Sequence, residues 1–88
     1  MADKLDSIRE ILDQTDKKIV DALAKRQELV REISSLKLDE DRNIRDSDRE
    51  EQLLNKITKL AHEAGLDRYF AEQLFKDIIQ HSRAISTE

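Results

Sequence analysis

Arg26 stands where an apolar residue is expected. The positions 5, 8, 12, 15, 19, 22, 26, 29, 33 and 36 alternate steps of three and four, and all but Thr15 and Arg26 are apolar. That spacing draws a stripe along one side of a helix. A guanidinium set into such a stripe is costly unless an anion or water answers it. Lys37 follows eleven positions later, about 20° around the helix and ~16 Å along it. Arg9 flanks the same stripe directly after Ile8. A second row, 46, 50, 53, 57, 60 and 64, opens with Asp46 and Glu50, with Arg49 beside them, before it turns apolar. A third row runs from Ile78 to Ser82 and Ser86 in steps of four.

Taken singly, each interruption has an ordinary explanation. Arg26 could snorkel or pair with Glu50, Lys37 could complement a helix C-terminus, and Ser82 could bond to a carbonyl one turn back. Arg49 and Glu50 could be a solvated first turn. Together they put cations and hydroxyls on the apolar faces of all three helical segments. The chemistry that suits such a set is capture of a small polyanion by charge-assisted, bidentate guanidinium contacts.

The rest of the composition excludes competing classes. A net charge of −4 and a pI near 5.2 argue against a nucleic-acid surface. The absence of Cys removes thiol catalysis, thiolate metal sites and disulfides, and suits a cytoplasmic setting. His62 and His81 lack partners at ligand spacing, and Asp46 with Asp48 reads as a capping cluster, so neither a metal nor a cofactor is expected. Nothing approaches the ~20 apolar residues of a membrane span.

The elements that must position these residues follow from spacing. The chain has no Pro and a single Gly, so an all-α fold is expected, with residues 1–88 as a single domain of three helices, one long and two shorter. The first helix is expected from about Lys4 to Lys37, roughly 50 Å long, and 38–43 as a polar loop. The second starts near Asp46 or Ser47, with Ser47 and Glu50 as a capping box and Gly65 as its stop. Its apolar face is Leu53, Ile57, Leu60 and Ala64. Asp67 caps the third, whose inward residues are Phe70, Leu74, Ile78 and Ile85, with Phe75 and Ile79 beside them. The two shorter helices, roughly 18 and 19 residues, have lengths that would let them lie end to end along the first. A compact globule of this length is only about 30 Å across, so the long apolar stripe needs a cover. An intertwined homodimer, paired through the first helices, is the expected answer.

The segments SIREILDQTDKKIVDALAKRQELVREISSLK (Ser7 to Lys37), IRDSDREEQLL (Ile44 to Leu54) and LFKDIIQHSRAIS (Leu74 to Ser86) carry a resemblance. Within them, A-x-R-x-x-L-x-x-x-I-x-x-x-K and R-D-x-x-R-E, in this order and spacing, resemble the all-helical chorismate mutase family. The resemblance covers nearly the whole chain. It implies rearrangement of chorismate to prephenate without metal or cofactor, in an intertwined dimer with two sites. Carried over, Arg9 reaches across the interface to grip a carboxylate and Arg26 holds one from its own helix. Lys37 contacts a carboxylate and the ether oxygen, Asp46 and Glu50 orient the ring hydroxyl, Arg49 adds to the cationic wall, and Ser82 lines the pocket. Where the family places Gln or Glu as a donor to the ether oxygen, this chain has Ser86, whose shorter hydroxyl implies a slower mutase. An aminodeoxychorismate mutase, an isochorismate pyruvate lyase and a non-catalytic dimerisation or regulatory domain are the alternatives that the same residues leave open.

Overall fold

A computed structural model describes residues 3–36 and 47–86 of the chain, the side chains of Ser47 and Ser86 excepted. The described residues form three helices, α1 (Lys4–Leu36), α2 (Ser47–Glu63) and α3 (Arg68–Ser86), with no strand among them. Lys37, Asp46, the expected loop at 38–43 and the Ser47 hydroxyl of the expected capping box lie outside what is described.

Each helix begins and ends for a local reason. Asp3 Oδ1 accepts from the Asp6 backbone N–H at 2.8 Å, capping the first turn of α1. Along α1 the exposed pair Lys17–Asp21, at 2.9 Å and four residues apart, adds a few tenths of a kcal/mol. Thr15, the polar break in the stripe, donates to the Ile11 carbonyl at 2.8 Å and so brings no unmet donor to that face. α2 stops at Gly65, which takes a φ of 74°, the left-handed conformation that side chains disfavour. Gly65 N–H then reaches the His62 carbonyl at 3.2 Å and Leu66 N–H the Ala61 carbonyl at 2.8 Å, the paired bonds of a Schellman stop. Asp67 Oδ1 accepts from Tyr69 at 2.9 Å and from Phe70 at 3.4 Å, starting α3 as expected.

The packing departs from that end-to-end arrangement. α2 and α3 fold back on each other as an antiparallel hairpin, and α3 lies against α1, while α2 makes no close backbone approach to α1. The cause is side-chain pairing across the hairpin. Glu50 at the start of α2 meets Arg83 near the end of α3, and the small residues Ala61 and Ala71, both buried, let the helices close near the turn.

The inward faces are also rotated from expectation. Ala61, Ala71 and Ile79 are the buried apolar residues, whereas Leu60, Phe70 and Leu74 are exposed. Both stripes are wide, and one hairpin partner covers only one edge of each. On α1, Leu5, Ile8, Leu12, Ile19, Leu29, Ile33 and Leu36 all stay exposed. The described chain measures 60 × 25 × 16 Å with a radius of gyration of 16.7 Å, against roughly 12 Å for a compact chain of this length. Among the described residues no helix is long and apolar enough to cross a membrane.

Candidate active site

The polar interruptions of the three stripes meet where α3 crosses the C-terminal half of α1. Arg26, Val30 and Ile33 of α1, Arg49, Glu50 and Leu53 of α2, and Ile79, Ser82 and Arg83 of α3 line a cleft of about 190 Å³. Arg26, Arg49, Glu50 and Ser82 were expected to share a site, and the fold brings them together. Their walls are aliphatic, which lowers the local dielectric and strengthens every charge interaction inside.

Arg26 is half-buried, and its Nη1 donates to Ser82 Oγ at 2.5 Å. The same Ser82 hydroxyl donates to the Ile78 carbonyl at 2.9 Å, one turn back. Ser82 thus bonds to its own helix and also lines the cleft. Its proton serves the backbone and its lone pair fixes one edge of the guanidinium. Burial, and secondarily the positive charge of Arg49, hold the Arg26 guanidinium below the usual arginine range. Among the described residues no carboxylate forms an ion pair with Arg26. Glu50, the partner considered for it, is engaged elsewhere. Arg83 donates to Glu50 through both Nε, at 2.8 Å, and Nη2.

Arg83 is the site residue that sequence reasoning missed. Its signal was the row Ile79, Arg83, Ser86 at steps of four and three, which runs beside the row used to pick out Ser82. Arg9 is in α1 but not in the cleft. It is exposed and lies seventeen helical positions before Arg26, ~26 Å along the axis. The backbone of Ser86 closes α3. Lys37 directly follows the last residue of α1, Leu36. His62 and His81 are exposed, and among the described residues no group of His, Asp or Glu could hold a metal.

A larger hollow of about 540 Å³ lies over the α2–α3 turn, lined by Leu54, Asn55, Thr58, Asp67, Arg68, Tyr69 and Glu72. Asp67 and Glu72 outweigh Arg68 there, so it offers an anion nothing. The Arg26 cleft is smaller and has the opposite balance, three guanidinium groups to one carboxylate. It can bind a compact dianion and stabilise negative charge that develops on it, and it contains no nucleophile or metal ligand set among its lining residues.

Comparison with known proteins agrees with this chemistry. Residues 8–87 match the pattern of a protein family described as chorismate mutase type II. The chain is 30% identical over 88 residues to a chorismate mutase of Methanocaldococcus jannaschii, covering all of this chain and 89% of that protein. It is 40% identical over 76 residues to a bifunctional chorismate mutase/prephenate dehydratase of Buchnera aphidicola from Schizaphis graminum, covering 86% of this chain and 20% of that protein. The corresponding bifunctional protein of Escherichia coli K12 is 37% identical over the same share of each. The chain thus spans about a fifth of the bifunctional relatives.

Proposed function

This chain belongs to the chorismate mutase type II family, and we propose that the cleft around Arg26 is where it converts chorismate to prephenate. The reaction breaks one C–O bond and forms one C–C bond within a single molecule, through a cyclic, chair-like transition state. No proton, electron or second substrate is exchanged. What the protein contributes is position and charge. It must hold a flexible dianion with its reacting ends together, which removes the entropy of finding that conformer. It must also present fixed donors to the ether oxygen as that atom gains negative charge.

The observation that carries the proposal is the state of Arg26. It is half-buried, hydrogen-bonded only to a neutral hydroxyl among the described residues, and close enough to Arg49 to be repelled by it. A fold that keeps the Arg26 guanidinium in an aliphatic cleft, answered among the described residues only by a neutral hydroxyl, has left an anion-shaped deficit at that residue. A substrate carboxylate fills it, and the cost of holding the Arg26 guanidinium apart from water becomes binding free energy on its arrival. In this reading Arg26 grips one carboxylate from its own chain and Arg49 adds to the cationic wall. Ser82 fixes the Arg26 guanidinium, and Glu50 and Asp46 orient the ring hydroxyl. Lys37, one residue beyond α1, reaches a carboxylate and the ether oxygen, with Ser86 as a short and therefore weaker second donor.

The working unit in this reading is a homodimer with Arg9 supplied by the partner. Two features support it. Arg9 is ~26 Å from Arg26 along the same helix, too far to serve its own site. The helix that carries it exposes Leu5, Ile8, Ile11, Leu12 and Ile19, a continuous apolar face suited to a second copy of itself.

The test is the ultraviolet loss of chorismate with purified protein, prephenate being identified by chromatography, and Arg26→Ala as the control. Loss of one preorganised charged donor costs on the order of 3 kcal/mol, about a hundredfold in rate. Prephenate formation that falls by at least that factor in the control supports the cleft. Turnover unaffected by Arg26→Ala would move the site elsewhere in the family member.

A further inference from the structure

A mutase cleft that must attract a dianion contains a carboxylate of its own. Glu50 lines the cleft, and its side chain is only 19% exposed. Left bare in that aliphatic setting, it would be costly to keep charged and would repel the substrate. Arg83 answers it. The guanidinium fork of Arg83 meets both carboxylate oxygens, through Nε at 2.8 Å and through Nη2. Arg83 is the outer partner, at 42% exposed. The pair links residues thirty-three positions apart across the open end of the α2–α3 hairpin, away from its turn.

We propose that Arg83 is a positioning residue for the mutase reaction: by clamping Glu50 on both oxygens it cancels the one carboxylate of the described cleft and fixes how that carboxylate faces the substrate. The inference rests on the mutase reading of the same cleft. It assigns Arg83 no contact with the substrate. Its effect passes through Glu50, so it exists only while Glu50 is charged. Geometry also distinguishes arginine from lysine here. A planar fork bonds two oxygens and sets the plane of the carboxylate, whereas an ammonium supplies charge without that orientation.

Four proteins test it: wild type, Arg83→Met, Glu50→Gln and the double variant, with Arg83→Lys as a conservative check. Chorismate turnover and calorimetric binding of prephenate, the dianionic product, are measured in each, together with the melting temperature. Arg83→Met is expected to raise KM and weaken prephenate binding about tenfold, with a smaller fall in kcat, because an uncancelled carboxylate acts on ground state and transition state alike. In the Glu50→Gln background the same replacement should change both by less than about twofold, a coupling that only interacting residues show. Arg83→Lys should recover part of the binding.

Equal losses in both backgrounds would overturn the proposal and make Arg83 a direct substrate contact. A lowered melting temperature with KM and prephenate binding unchanged would reduce the pair to a staple between helices, and would overturn it as well. Wild type that binds prephenate without turning over chorismate would sink the mutase reading while the four binding constants still decided the role of Arg83. Wild type that does neither would sink both.

Discussion

Arg26 separates a working pocket from a structural seam more sharply than any other single residue. Burial and the neighbouring Arg49 hold its guanidinium below the usual range, so its folded pKa lies under its unfolded one. For a base depressed in this way, stability rises with pH only through the alkaline interval between the two values, where the unfolded chain still holds the proton. At neutral pH the group is charged in both states and the full cost falls on the native state. Arg26→Leu is therefore expected to raise the melting temperature at pH 7 by a few degrees, about the effect of 1 kcal/mol, while chorismate turnover and prephenate binding disappear. A melting temperature that falls would mean that the Ser82 hydrogen bond outweighs the desolvation. Arg26, Arg49, Glu50 and Ser82 were legible in the sequence because each breaks or flanks an apolar row, and a shared ligand accounts for several such interruptions at once. Arg83 was not legible. It looks like an ordinary polar residue until the α2–α3 hairpin brings Glu50 to it, and sequence spacing alone does not say which faces of two helices meet.

The helices and their ends could be read because short-range chemistry sets them. Asp3, Gly65 and Asp67 act within a few residues of themselves, so the boundaries follow from capping rules that need no knowledge of the tertiary fold. Gly65 is open to a direct check. A Cβ at this position would meet nothing within 4 Å, so any penalty for Gly65→Ala comes from its φ of 74° alone. The replacement should destabilise the protein by about 1 kcal/mol in chemical denaturation, with KM for chorismate unchanged. An unchanged denaturation midpoint would mean that the turn relaxes without strain. What local chemistry did not reveal was the side-by-side hairpin in place of the end-to-end arrangement. The apolar stripes of α2 and α3 are wide enough for either packing. The choice depended on burying the small residues Ala61 and Ala71 and on Glu50 meeting Arg83, a contact between residues distant in the chain.

At the scale of the whole molecule, the described chain is a 60 Å rod with little interior. Ala61, Ala71 and Ile79 are its buried apolar residues, a core far smaller than a chain of this length needs to offset the entropy of ordering it. In the proposed homodimer, pairing through α1 would supply the missing burial. Ile8→Glu, placed on the exposed face of α1 and one residue from Arg9, should convert a two-chain species into monomers in sedimentation and abolish turnover, although it lies far from the cleft of its own chain. A dimer that sediments unchanged would remove α1 as the interface. The slightness of the single-chain interior has a further consequence. If each chain completes its core only on meeting another, folding and assembly are one bimolecular event. Refolding then follows second-order kinetics, the melting temperature rises with the amount of protein present, and dilution removes activity and structure together. Such a molecule has a threshold concentration below which it is no enzyme at all.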